Sequence, residues 1–137
     1  MRITRQILVV EDEVLIALEL EQMLQRAGYQ VVGPAATVAL ALGLLRQVRP
    51  DAAVLDVNLA GERVTPVAEV LRAMAVPFVL ASGYAATDLS DEEVLRDAIN
   101  VGKPTVAHRL LTELSELLND TDGRPPAHRE GSRPASR

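Results

Sequence analysis

The chain has 137 residues, a net charge of -5 and no cysteine, which suits one ordinary domain and excludes a disulfide framework, a thiolate nucleophile and any cysteine-based zinc or iron-sulfur site. That charge opposes a nucleic-acid backbone, and Tyr29, Phe78 and Tyr84 are the whole supply of aromatic rings on which bases could stack, so no nucleic-acid binding is expected. The acidity is uneven: residues 119–137 carry four arginines against three acids, net +1, leaving 10 basic and 16 acidic groups, net -6, in residues 1–118.

The chain opens MRITRQILVVEDE, where the apolar run stops at Glu11, before a signal-peptide core or a membrane span could form. A cytoplasmic protein with no membrane association is expected. QILVV, continuous and rich in β-branched residues, predicts a strand buried on both faces of a parallel sheet. Ile16, Leu20, Met23, Leu24 and Ala27 then form one stripe of a helix over roughly residues 13–27, with Gly28 as its left-handed cap.

The alternation repeats. YQVVG predicts a second strand; Val38, Ala41, Leu42 and Leu45 follow a Thr37 N-cap, and Pro50 stops that helix. DAAVLDV is the third strand, Val67, Val70, Leu71 and Met74 mark the third helix, and FVLAS after Pro77 is the fourth strand. Residues 88–97 are acidic and weakly amphipathic. AINVG is a short fifth strand, and Pro104 opens a helix with Val106, Leu110, Leu114 and Leu117 on one face.

Five βα units predict an α/β fold, a flavodoxin-like doubly wound five-stranded parallel sheet of order 2-1-3-4-5 with helices on both faces. The domain is expected to span residues 1–118. Residues 119–137, NDTDGRPPAHREGSRPASR, lack large apolar side chains to offset ordering entropy, and a disordered tail is expected there.

In such a sheet, ligands bind beyond the carboxyl ends of the strands. Strand one ends in Glu11 and Asp12, strand three in Asp56, strand four in Ser82, and strand five in Gly102 and Lys103. Three carboxylates within a few ångström repel, each pair by about 1 kcal/mol in water and about 4 at a protein surface. A hard cation with oxygen ligands relieves this, and Mg, which takes one or two carboxylates and keeps its waters, suits a shallow rim. The Asn58 main-chain carbonyl can join Glu11, Asp12 and Asp56 around the metal. Asp56, alone after its strand, is the candidate nucleophile toward phosphorus, with Ser82 and Lys103 to hold the phosphoryl oxygens.

VVEDE, LDVN, LASG and GKP, in that order and each at a strand end, resemble the receiver domain of bacterial response regulators over residues 5–118. The resemblance implies a CheY-like phosphoprotein of a two-component system. It gives metal binding to Glu11 and Asp12, phosphate acceptance to Asp56, and phosphoryl contact to Ser82 and Lys103. A sensor histidine kinase is the implied partner, and a histidine phosphotransfer protein or another downstream protein would receive the signal. FVLASGY is similar to the signature of the FATGUY group of stand-alone receivers, with serine for threonine and one residue fewer before Tyr84.

Two departures stand out. Leu59-Ala60-Gly61 lacks the proline many receivers carry there, and Asn100 stands where many carry a switch aromatic, three residues before Lys103. Tyr84 is the candidate substitute for that ring.

Each motif alone has a plainer account: Asp12 or Glu13 as a helix cap, Ser82-Gly83 as a turn, Lys103-Pro104 as a helix start. Only their shared rim raises a function above it. His108 and His128 are expected in solvent with no role. The expected protein is not an enzyme in its own right, although it assists its own aspartyl phosphorylation and dephosphorylation. The alternative is a phosphorylation-independent protein-binding module with a receiver fold. A haloacid-dehalogenase-like phosphatase would need a second acid two residues after the nucleophile, where Asn58 stands. The leucine stripe of the last helix could cover the sheet or pair with a second subunit, which leaves the oligomeric state open.

Overall fold

The computed structural model describes residues 4–83 and 93–121. In chain order the elements are β1 (Gln6–Val10), α1 (Val14–Arg26), β2 (Gln30–Ala35), α2 (Val38–Leu45), β3 (Ala52–Leu55), β4 (Asn58–Leu59), β5 (Glu62–Arg63), α3 (Thr65–Ala73), β6 (Phe78–Leu80), α4 (Glu93–Arg96) and α5 (Ala107–Thr121). Four parallel strands form the sheet in the order β2-β1-β3-β6.

The expected fifth strand is reduced to one parallel bridge between Leu80 and Asn100. Its backbone bonds run from Leu80 N–H to the Ile99 carbonyl at 2.8 Å and from Val101 N–H to the Leu80 carbonyl at 2.7 Å. The order is therefore the predicted one, but the last position is a single rung. Gly102, at φ +88, turns the chain away immediately afterwards.

Strand alternation splits the core in two. Leu8, Val10, Ala53, Leu55 and Leu80 face the helices α2, α3 and α4, packing on Ala41, Leu45, Val67, Leu71 and Leu95. Ile7, Val9, Ala52, Val54 and Val79 face α1 and α5, packing on Leu20, Leu24, Leu110, Leu114 and Leu118. Both faces are covered, as a parallel sheet requires. Each of these large side chains contributes about 1.5–3 kcal/mol by leaving water.

Local signals act as anticipated at several helix ends. The Thr37 hydroxyl accepts from Leu40 N–H at 3.0 Å, capping α2. After α1, Gly28 adopts φ +94. Its N–H donates to the Gln25 carbonyl, and Tyr29 N–H to that of Leu24, both at 3.0 Å, the paired bonds of a Schellman end.

Three details differ from expectation. Val106 precedes α5 and is exposed, so the buried face of that helix is Leu110, Leu114 and Leu118. The helix also continues to Thr121, three residues into the segment assigned to the tail; residues 122–137 lie outside the described residues. Finally, β2 carries an extra residue: Leu8 pairs with Val32, but Val10 pairs with Ala35. Gly33 makes this possible at φ +92, where a Cβ would sit 2.8 Å from Ala35 N and 3.1 Å from the Val9 carbonyl oxygen. No helix among the described residues is long and apolar enough to cross a membrane.

Candidate functional site

The carboxyl ends of β1 and β3 lie side by side, because Asp56 N–H donates to the Val10 carbonyl at 2.9 Å. Glu11 and Asp56 therefore emerge together from the apolar stretches Ile7–Val10 and Ala52–Leu55, and they are only 2% and 6% exposed. One carboxylate oxygen from each of Glu11, Asp12 and Asp56 can be drawn from a group within 4.8 Å of one another. Asp12 is half-buried at the rim.

Lys103 reaches this cluster from the turn after Gly102. Its Nζ lies 3.0 Å from Asp56 Oδ2, 3.1 Å from Glu13 Oε1 and 3.2 Å from Glu11 Oε1. Burial alone would lower the affinity of this ammonium for its proton, but hydrogen bonds to Asp56 and Glu13 and the charges of Asp56 and Glu11 outweigh it and push the pKa up. Lys103 thus stays charged at neutral pH.

Glu11 answers differently. Burial, with the Asp56 charge adding to it, raises its pKa from 4.5 to about 7, against the opposing pull of Glu13 N–H and Lys103. Its Oε2 accepts from Glu13 N–H at 3.0 Å and from Lys103 at 3.4 Å. Oε1 is buried without a hydrogen-bond donor, its contact with Nζ being ionic and poorly aligned. A buried carboxylate oxygen with no donor, in a cluster with more acids than cations, fits a hard divalent cation.

Ser82 closes the other side. At the end of the β3–β6 ladder, Ala81 N–H donates to the Leu55 carbonyl at 2.8 Å. One step on, the Ser82 hydroxyl takes the place of a main-chain carbonyl, accepting from Val57 N–H at 2.7 Å and donating to Asp56 Oδ1 at 3.0 Å. Each Asp56 oxygen thus has one partner: Ser82 on Oδ1 and Lys103 on Oδ2.

The loop after Asp56, which lacks the usual proline, is a two-rung antiparallel hairpin, β4–β5. Ala60 at φ +52 and Gly61 at φ +89 make its tight turn, both left-handed as a type I′ turn demands. Leu59 is buried in the core beside Val57 and Val64 and anchors it. Asn58, exposed at its start, accepts from Arg63 Nη1 through its side-chain oxygen at 3.1 Å.

The candidates Glu11, Asp12, Asp56, Ser82 and Lys103 are brought together, with Asn58 two residues beyond Asp56. Tyr84 lies outside the described residues. His108 is exposed, as expected. Sequence reasoning gave Glu13, the third acid of VVEDE, only a helix-cap role, whereas its carboxylate holds Lys103, and it passed over Arg63, which faces Asn58 across the hairpin.

Residues 7–114 match the family described as the response regulator receiver domain. The chain belongs to that family. Its relatives include the transcriptional regulatory protein PdtaR of Mycobacterium tuberculosis, 30% identical over 97 residues that make up 70% of this chain and 46% of PdtaR. Among solved structures, the anti-anti-sigma factor PhyR from Bartonella quintana aligns at 27% identity with a TM-score of 0.75, over 90% of this chain and 51% of PhyR. A response regulator receiver protein from Sinorhizobium medicae aligns at 30% identity with a TM-score of 0.74, over 85% of this chain and 95% of its own. This receiver chain spans about half the length of the PdtaR and PhyR chains it matches.

Proposed function

We propose that this receiver accepts phosphate on Asp56 from a histidine kinase with Mg bound, and passes the signal on by protein contacts. The observation that supports this most is the placement of one donor on each Asp56 oxygen, Ser82 Oγ and Lys103 Nζ, both at 3.0 Å, beside a carboxylate cluster that fits a cation.

Glu11, Asp12, Asp56 and the Asn58 main-chain carbonyl would hold the metal. When bound, Mg offsets the negative charge of the acids and of the incoming phosphoryl group. An Asp56 carboxylate oxygen attacks phosphorus, the bond from phosphorus to the kinase imidazole nitrogen breaks, and the imidazole leaves with that electron pair. Lys103 shifts from Asp56 Oδ2 toward the phosphoryl oxygens while Glu13 still holds it. The Ser82 hydroxyl turns its proton from Oδ1 to a phosphoryl oxygen. Hydrolysis of the acyl phosphate by water returns the starting state. The downstream receiver of the signal is a partner protein, a kinase for which it competes, or a histidine phosphotransfer protein.

The test is to incubate wild type and Asp56→Asn with acetyl phosphate, with and without Mg, and weigh the intact chains. Wild type is expected to gain one phosphate only with Mg, and Asp56→Asn none. A wild type that binds Mg yet gains nothing from acetyl phosphate or from a phosphorylated kinase would move the protein to a phosphorylation-independent binding role.

A further inference from the structure

Asn100 stands where many receivers carry a ring, yet its carboxamide makes three hydrogen bonds. Oδ1 accepts from Ser82 N–H at 3.1 Å and from Gly102 N–H at 2.9 Å, and Nδ2 donates to the Ser82 carbonyl at 3.4 Å. The ladder geometry explains why. In a parallel pair, one residue donates to and accepts from two residues of its neighbour strand, and Leu80 does so with Ile99 and Val101. The next such residue on that side is Ser82, two positions on. Its main-chain partners would be Val101 and Lys103, but Gly102 at φ +88 has already turned the chain aside. The Asn100 carboxamide, which carries the acceptor and the donor of a peptide group, supplies that missing rung. Among short side chains, only asparagine carries the two on separate atoms of a planar amide.

We infer that Asn100 is a positioning residue, a side-chain rung that ties Ser82 to the Gly102–Lys103 turn so that both groups meeting Asp56 are placed, and move, as one unit. The inference rests on Asp56 being the phosphoacceptor. One carboxamide oxygen binds both the residue that presents the hydroxyl and the residue preceding the ammonium. A shift of Ser82 toward a phosphoryl oxygen therefore pulls on Gly102 through a single atom. The coupling that a rotating ring gives other receivers would here run through hydrogen bonds.

The variant is Asn100→Leu, similar in size and unable to make any of the three bonds. Two readouts are needed: amide hydrogen exchange of the unphosphorylated chain, and the rate of Asp56 phosphorylation by acetyl phosphate alongside Mg affinity. Losing one such bond corresponds to about two- to twelvefold in an equilibrium. Ser82 and Gly102 amides should exchange about tenfold faster while those of β1 keep their rates. Phosphorylation should slow about tenfold while Mg affinity stays within about twofold, a split that general loosening of the domain would not produce. If wild type takes phosphate and Asn100→Leu takes it equally fast, the coupling is wrong and the phosphoacceptor stands. If wild type takes none, that function falls, and unchanged exchange at Ser82 and Gly102 would overturn the rung on its own. Asn100→Ser, too short to span Ser82 and Gly102, is held to the same outcomes should the leucine variant not fold.

Discussion

The body of the sheet and its carboxyl rim are made from the same strands, yet opposite energetics govern them. From Ile7 to Val10 and from Ala52 to Leu55 every side chain is apolar and wholly buried, and removal from water accounts for the arrangement. One residue further along, Glu11 and Asp56 are nearly as buried and carry carboxyl groups. Burial opposes that placement. What holds the rim is a set of directed partners: Lys103 across three carboxylates, Glu13 N–H on Glu11, and Ser82 on Asp56. The body stabilises the fold, and that stability allows the rim to keep charged groups where chemistry needs them.

Three measurements would break or sharpen this contrast. Leu55→Ala, in the body, should cost about 3 kcal/mol in denaturant unfolding while the folded fraction still binds Mg normally. A large drop in Mg affinity would show that body and rim are not separable. Lys103→Met, at the rim, leaves three carboxylates without their shared counter-charge. Breaking a buried pair costs about 3–5 kcal/mol, and partial exposure of the lysine reduces this to about 2 kcal/mol. Thermal melts should show that loss without metal, and saturating Mg should recover much of it; a loss of the same size with and without Mg would count against charge as its cause.

The smallest effect per step is a pH slope. The Glu11 carboxyl keeps its proton to about pH 7 in the folded chain, against an ordinary value of 4.5. The folded state then binds the extra proton between those values. Its contribution to stability is full below pH 4.5 and is lost as pH rises through 7. The unfolding free energy of the metal-free protein, and with it the denaturant midpoint, should fall across that window, by no more than about 1.4 kcal/mol per pH unit. Excess Mg, which favours the ionised carboxylate, should flatten the slope. A metal-free midpoint that rises from pH 5 to 7 would mean that Glu11 does not dominate the rim.

Much of the body was legible because burial writes itself into the chain with a fixed period. Leu20 and Leu24, or Val67 and Leu71, announce their faces by spacing alone, and Thr37 and Gly28 announce helix ends by their chemistry. Val106 misled because it keeps helical spacing with Leu110 although the helix begins only after it. At the rim, Glu11, Asp56, Ser82 and Lys103 could be found because each follows a recognisable strand. The β4–β5 hairpin could not, since two-residue strands leave no period and only Ala60-Gly61 marks its turn. The length of the fifth strand was equally hidden: AINVG has the composition of a strand, and only Gly102 ends it. Asn100 looked like a missing ring because a side chain that imitates the backbone leaves no trace in a hydrophobic pattern.

The single rung at Leu80 also bears on how the domain assembles. β2, β1, β3 and β6 can pair without residues 99–101, whereas those residues have no ladder to join until β6 is docked. Their attachment is therefore expected to follow the main folding barrier, an order that folding and unfolding rates of Asn100→Leu would test. An interaction formed after the barrier slows unfolding and leaves the folding rate almost untouched. On that order, Asn100→Leu should speed unfolding and leave the folding rate nearly unchanged.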